Sequence, residues 1–569
     1  MGKKVAEIVV EVLEQAGVKR CYGIVGDTLN LIAENLDKSS IEWVSVRHEE
    51  AGAFAAGAEA QLTGNLTACA GSCGPGSLHF INGLYEANRN GAPVVVIASQ
   101  VMMNEMGFEF IQEVDFKSVF QECTVYCEMI LTPEQARKKA VAACQAALTQ
   151  KGVAVLIVPV DMSHGEVQHD YPYRVHHARP TIRPNDDEIA EIAKILNAGS
   201  KITIYAGAGC EGALDEIKAV AERLKAPIAH SSRGKSDLES NNPYNVGMTG
   251  ILGNEAGYHA VLECDTLLCL GVDFAWRQFY PDHAKIVQID IKPGHIGRRH
   301  HVTFGAVGDI KPTLQALLPH LDANPDASFQ QEFVHRYAKA KEEWKKHLKP
   351  GHDDTIPASY LMSVIDKYAD DDCLLVGDDG SPIVWALRVF ETNGKRRIFG
   401  SLLHGTMASG LPSALGLKKA APDRQVIACC GDGGLTMLFG ELITTVQDNV
   451  PVKIVVFDNE KLGFVEIEQK AEGILDTFTK LKNPDFGKVA QAIGLWGKTV
   501  TKAADLDDSI QEWLTQPGPA LLNVKVNQLE LVRPPMIEAK PIIGMGLYSV
   551  RAILAGRGAD VLEMIRENI

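Results

Sequence analysis

Three times along this chain a short, continuous apolar run ends in a glycine-rich turn and gives way to a helix-period stretch. NLTACAGSCGPGS leads through a helix to VVVIAS. KITIYAGAGCEGA leads into LDEIKAVAERLK. VIACCGDGG leads into LTMLFGELITTVQDN and then VKIVVFDN. Strands that are apolar throughout, not alternating, are buried on both faces, which calls for parallel sheets covered by helices. The pattern predicts an α/β fold of three doubly wound parallel-sheet domains in series. Two Pro- and charge-rich stretches, Tyr171–Asp187 and Lys349–Pro357, break both periodicities and separate the three. The expected division is residues 1–180, 181–345 and 355–530, with a tail at 531–569.

Composition removes several classes of function. A net charge of −16 repels phosphate backbones, so nucleic acid is not an expected partner. The 12 cysteines include no C-x-x-C pair and read as buried small apolar residues in a reducing compartment. MGKKVAEIVVEVLEQAG has the pattern of an amphipathic helix, not of a signal peptide. No apolar run approaches the ~18 residues that span a bilayer. The expected location is the cytoplasm, or the membrane surface by peripheral attachment.

Ligands of open parallel sheets sit beyond the carboxyl ends of the strands, so the residues after each apolar run matter most. After VIACC comes Gly431-Asp432-Gly433-Gly434, and at the end of the next strand stand Asp458 and Asn459. An isolated GDG is a tight turn. Here its spacing from Asn459 matches one βαβ crossover, which places both side chains at the tops of neighbouring strands. A carboxylate, an amide oxygen and a nearby carbonyl suit Mg²⁺, which commonly binds together with phosphates. The glycines and the following helix N-terminus suit a diphosphate. Glu49, before an Ala/Gly-rich helix, reads by itself as a carboxylate favoured by the helix dipole. Met407, after Gly405, reads by itself as a core filler. Gly207-Ala208-Gly209-Cys210-Glu211-Gly212 is a G-x-G-x-x-G, which alone signifies strand–helix packing or a nicotinamide dinucleotide.

Taken together these motifs resemble those of the thiamine diphosphate enzymes. The similarity is greatest to the bacterial pyruvate oxidases that reduce quinones, through RHEEAGAFAAGAEAQL, CAGSCGPGSLHFINGLYEA, NPYNVGMTG, KRRIFGS and LYSVRAILAGRG. The resemblance implies that Glu49 hydrogen-bonds the pyrimidine N1′ of the cofactor. It implies that the Gly405 carbonyl, Thr406 and Met407 support the V-shaped cofactor. Asp432, Asn459 and the Lys461 carbonyl would ligate Mg²⁺, within a cofactor loop that includes Gly433, Gly434, Glu460, Leu462, Gly463, Phe464 and Val465. Gln112 and Phe464 would join Glu49 in catalysis. For FAD, the resemblance implies Gly207, Gly209, Gly250, Ile251, Leu252 and Gly253. It adds Asp273, Phe274, Ala275, Trp276, Arg277, Asp290, Ile291 and Asp309. Ile111 stands where relatives carry a Phe near the flavin.

The activity so implied is oxidation of pyruvate to acetate and CO₂, with electrons passing through FAD to ubiquinone or menaquinone. A homotetramer and a lipid-binding tail are also implied. The tail's expected element is a short helix from about Ala559, with Val561, Leu562, Ile565 and Ile569 on one face. Three other readings stand beside this one. An acetolactate synthase would show Gln after the catalytic Glu and a Met and a Trp after the Asn loop, where this chain has Glu50 and LGFVEIEQK, with no Trp. A phosphate-dependent pyruvate oxidase is disfavoured by the tail. A catalytically silent flavin-binding relative is disfavoured by Glu49, Asp432 and Asn459.

Overall fold

The computed structural model describes residues 2–528, 530, 539–555, 557, 561, 562 and 564. Three six-stranded sheets follow one another along the chain. Every strand pair within them is parallel, with helices packed on both faces. The first sheet runs Glu42–Ser45, Arg20–Ile24, Thr67–Gly71, Val94–Gln100, Val153–Pro159, Tyr126–Met129 from edge to edge. The third runs Arg397–Phe399, Leu374–Gly377, Val426–Gly431, Lys453–Asp458, Ala520–Lys525, Trp496–Val500. Counted in chain order, both have the strand order 2-1-3-4-6-5. The middle sheet runs Asn245–Met248, Ile228–His230, Ile202–Ala206, Thr266–Leu270, Lys285–Asp290, Phe304–Val307, which is 3-2-1-4-5-6. That is the order of dinucleotide-binding folds.

The continuous apolar runs lie where burial on both faces demands. Every residue of Val94–Gln100 and Val153–Pro159 is buried. The chain between 171 and 185 carries no helix or strand. It ends at Asn185, whose side chain and that of Glu188 form a reciprocal capping box on the helix Asp186–Asn197. All 12 cysteines are free, and all but Cys127 are buried.

The helix Glu49–Thr63 packs against the helix Gly410–Ala420 of the third domain. Its sequence, EEAGAFAAGAEAQLT, is small-residued on every side, and 11 of its residues are buried. Small side chains let the two backbones close in. A methyl group at Gly416 would lie 2.0 Å from the Ala55 carbonyl oxygen. This contact seats the first and third domains of one chain on each other.

In the tail a helix that the sequence pattern does not predict precedes the glycines, and described residues of the one predicted from about Ala559 are helical. Helix Ala539–Leu554 exposes Leu547, Val550, Ile553 and Leu554, and buries Tyr548 and Ala552 with Val561 and Met564. Val561 and Leu562 are helical, one buried and one exposed, while Ile565 and Ile569 fall outside the described residues. Among the described residues no helix is long and apolar enough to cross a membrane.

Candidate active site

Strands Val426–Gly431 and Lys453–Asp458 are parallel neighbours, with Gly431 opposite Phe457. Their carboxyl ends therefore deliver Asp432, Asp458 and Asn459 side by side. The Asn483 amide donates to Asp432 Oδ2 at 2.7 Å and to Asp458 Oδ1 at 2.9 Å. Lys525 Nζ lies 2.7 Å from Asp458 Oδ2 and 2.8 Å from Glu460 Oε1. Burial pushes the Asp432 carboxyl up to about 6, the Asp458 charge adding to it and the Asn483 and Gly433 hydrogen bonds opposing it. Asn459 Oδ1 accepts from Lys461 N at 3.0 Å, and Glu460 between them has φ +56°. A non-glycine residue in the left-handed region is held there by its surroundings. Here the surroundings are two backbone bonds, Leu462 N to Thr479 O and Leu481 N to Glu460 O. Neither bond uses the Lys461 carbonyl.

The neighbouring strand, Leu374–Gly377, ends in Asp378-Asp379-Gly380, followed by the helix Ser381–Val389. Asp378 is 1% exposed; Gly410 N donates to its Oδ1 at 3.2 Å, and among the described residues its buried Oδ2 has no hydrogen-bond partner. Burial pushes this carboxyl up to about 7. A methyl group at Gly434 would stand 1.9 Å from Asp378 Oδ2, which accounts for the glycine. A methyl group at Gly433 would lie 3.2 Å from Met407 Cε and 3.0 Å from Leu462 Cδ2. The GDGG turn, the Met407 loop and the Asn459 loop thus meet at one place. Buried oxygen donors, side-chain-free backbone and the start of helix Ser381–Val389 fit a divalent cation with a diphosphate.

Glu49 opens the helix Glu49–Thr63 and is 6% exposed. Its Oε2 lies 2.9 Å from His79 Nδ1, and the His79 ring stacks on His48 at 4.5 Å. These partners belong to the first domain. The contacts with the same chain's third domain are made by its neighbours. Arg47 N and His48 N donate to buried Glu441 Oε1 at 2.9 and 3.0 Å. Glu50 Oε1 accepts from Asn82, whose amide also donates to Thr406 Oγ1. Gln112 is in the left-handed region, φ +66°, with its Oε1 accepting from Cys73 Sγ at 3.3 Å; Ile111 beside it is exposed. Phe464 and Val465 lie in the first turn of helix Gly463–Ala471.

In the middle domain, Gly207 and Gly209 pack on Gly271 across the point where the strand order reverses. A methyl group at Gly207 would lie 2.4 Å from Gly271 O. Gly250 has φ +107° and Ile251 is exposed, while the Leu252 and Gly253 carbonyls accept from Arg388 of the third domain at 3.2 and 3.3 Å. Asp273 pairs with Arg298 and Arg299, the latter at 2.8 Å. The Phe274 ring lies 5.0 Å from that of half-exposed Trp276; Ala275 between them is exposed, and Arg277 reaches Asp282 at 3.2 Å. Asp290 accepts from Lys292 N at 2.8 Å, and Ile291 is exposed. Asp309 accepts from Ile182 N at 2.7 Å and so fastens the linker. Thr249 Oγ1 and His230 Nε2 are buried at the carboxyl ends of adjacent strands and have no partner among the described residues. Unpaired buried polar atoms at a sheet's ligand edge fit an incoming polar group such as a dinucleotide.

Sequence reasoning misses Asp378, Ser381, Asn483, Lys525 and Asn82. Asp378-Asp379-Gly380 after the apolar run CLLV is the one available signal, by the same strand-end rule that finds Asp432.

Models of the thiamine pyrophosphate enzymes match a segment of each of the three sheet domains. The N-terminal TPP binding domain matches residues 3–119, the central domain 189–317 and the C-terminal TPP binding domain 378–524. The putative thiamine pyrophosphate-containing protein YdaP of Bacillus subtilis is 33% identical over 92% of both chains. A pyruvate oxidase of Lactiplantibacillus plantarum is 28% identical, over 91% of this chain and 88% of its own. The acetolactate synthase isozyme 2 large subunit of Escherichia coli is 30% identical, over 93% and 96%. With the diphosphate cradle, the helix-start Glu49 and three matching domains in one chain, the protein belongs to the thiamine pyrophosphate enzymes and depends on thiamine diphosphate.

Proposed function

We propose that the protein oxidises pyruvate, with water, to acetate and CO₂ and passes the electron pair through FAD to a membrane quinone. The observation that carries this choice is the segment after Asn459. It presents Phe464 at a helix start beside the metal loop, and it lacks the Trp of an acetolactate synthase. Glu50 after Glu49 favours the same choice.

When bound, thiamine diphosphate supplies the electron sink for loss of CO₂, and FAD accepts the electron pair. The protein's part is placement and electrostatics. Asp432, Asn459 and the Lys461 carbonyl would hold Mg²⁺, which would neutralise the diphosphate. Met407 packs beside Gly433, where it would support the bound cofactor. Glu49, shielded from water, would hydrogen-bond the pyrimidine N1′. The Gly250–Gly253 loop would hold the flavin, and Arg388 ties that loop to the helix Ser381–Val389.

Within one chain Glu49 turns to His79, while Glu50 and Asn82 face the chain's own Met407 loop. This supports a site completed by a second copy, with Glu49 of one chain serving the diphosphate cradle of another in a homo-oligomer of tetrameric size. The exposed stripe Leu547, Val550, Ile553 and Leu554 supports reversible attachment to the cytoplasmic membrane face, where the quinone is dissolved.

The test supplies pyruvate with a quinone, with oxygen plus phosphate, and with neither. Acetate and quinol in equal amounts support the proposal. Acetyl phosphate or acetolactate as the main product assigns the chain to another branch of the family.

A further inference from the structure

The helix Ile81–Arg89 presents Asn82, Tyr85, Glu86 and Arg89 at i, i+3, i+4 and i+7, a single face. All four touch one short segment of the third domain. Asn82 Nδ2 donates to Thr406 Oγ1 at 3.0 Å, and Asn82 Oδ1 accepts from His404 Nε2 at 2.8 Å. The Tyr85 ring stacks on His404, centroids 5.7 Å apart. Glu86 Oε2 accepts from Ser401 Oγ at 2.6 Å, and Ser401 Oγ accepts from Thr406 N at 3.0 Å. Arg89 donates to the Leu403 carbonyl at 3.1 Å. Within the segment Gly405 has φ +71°, which glycine adopts without strain, and just beyond it Ala408 has φ +74°. A non-glycine residue in that region keeps its conformation only when its surroundings over-determine it.

We propose that Asn82 is the positioning residue for the cofactor-bearing turn His404–Met407. Through Glu50 it couples that turn to the start of the helix that carries Glu49. The proposal rests on the reading of Glu49, Gly405 and Met407 as cofactor contacts. A neutral amide is the group this junction requires. Its NH₂ serves two acceptors, Glu50 Oε1 at 2.6 Å and Thr406 Oγ1, while its oxygen takes the His404 N–H. If both sites of a dimer are shared between chains, Asn82 links a chain's Glu49 in one site to the same chain's Met407 in the other.

The test uses full-length protein loaded with thiamine diphosphate and Mg²⁺. It reads hydrogen–deuterium exchange at the thiazolium C2 by acid quench and NMR, and cofactor affinity by fluorescence quenching. Asn82→Asp sets a carboxylate against Glu50 and removes both donors. Exchange should slow roughly tenfold or more, as displaced reacting groups slow chemistry, with affinity changed by only about threefold. The double variant Glu50→Gln/Asn82→Asp reverses the hydrogen-bond direction. The amide introduced at position 50 donates to the carboxylate introduced at position 82, and the Thr406 hydroxyl turns from Met407 O to do the same. It should recover most of the lost rate with affinity still near wild type, whereas a general loss of structure would lower rate and affinity together. Thr406→Val, which removes the acceptor for Asn82 and the donor to Met407 O but places no charge against Glu50, gives a milder slowing and serves if Asn82→Asp fails to fold. Wild-type exchange in Asn82→Asp or Thr406→Val, or no recovery in the double variant, overturns the proposal. Should the wild-type protein not accelerate exchange over free cofactor, the reading beneath the proposal falls, and the proposal with it.

Discussion

A methyl group on Gly434 would stand 1.9 Å from Asp378 Oδ2, well inside van der Waals contact with a buried carboxylate. The third glycine of GDGG is therefore set by a residue 56 positions earlier in the chain. Gly434→Ala should lower thiamine diphosphate affinity by about two orders of magnitude or abolish it, because the cradle must open to admit the methyl group. FAD content should change far less. Calorimetric titration of both cofactors checks this, and equal loss of the two would indicate a folding defect.

Asp432 must be ionised to ligate a cation, and in the free protein burial lifts its carboxyl to about 6. Mg²⁺-dependent affinity for thiamine diphosphate should be level above that pH and fall by about tenfold per unit below it. Titrations across that range check the slope; a flat profile would remove Asp432 from the metal site.

Asp378 gives a stability prediction of defined sign. Its folded-state carboxyl, raised to about 7, binds a proton that an unfolded Asp releases near its ordinary value. Its contribution is therefore greatest at the acid end of that window and is lost as pH rises toward 7. Asp378→Asn should flatten this fall in cofactor-free protein, measured as urea midpoint against pH.

The exposed apolar face of helix Ala539–Leu554 gives a membrane prediction. Removal of the chain from Ala539 onward should spare reduction of a soluble dye and impair both liposome binding and quinone turnover. Undiminished liposome binding of the reduced, truncated enzyme would make Ala539–Leu554 a packing element.

What the sequence makes legible are strand ends. VIACC and VKIVVFDN are long apolar runs, so their termini locate Asp432 and Asn459, and chain order implies that the two strands are neighbours. The partners that tune them are not legible. Asn483 reaches Asp432 across 51 residues and lies in no periodic element. Asn82 sits in an ordinary amphipathic helix, and its work depends on domain packing between Ala55 and Gly416, which no local pattern encodes. In the tail the two glycines at 556 and 558 give a strong local signal for a helix beginning after them, where Val561, Leu562 and Met564 are helical, and the longer helix Ala539–Leu554 on their other side goes unread.

In the proposed catalytic site, Glu49 and the Asp432–Met407 cradle come from different copies of the chain, and mixed oligomers test this most directly. Glu49→Gln and Asp432→Ala chains should each fold and each lose nearly all pyruvate decarboxylation. When the two are unfolded together, refolded and verified as mixed oligomers, half of the dimeric units are hybrids with one intact site in two. About a quarter of wild-type CO₂ release should return. No recovery in verified hybrids would contradict the shared site.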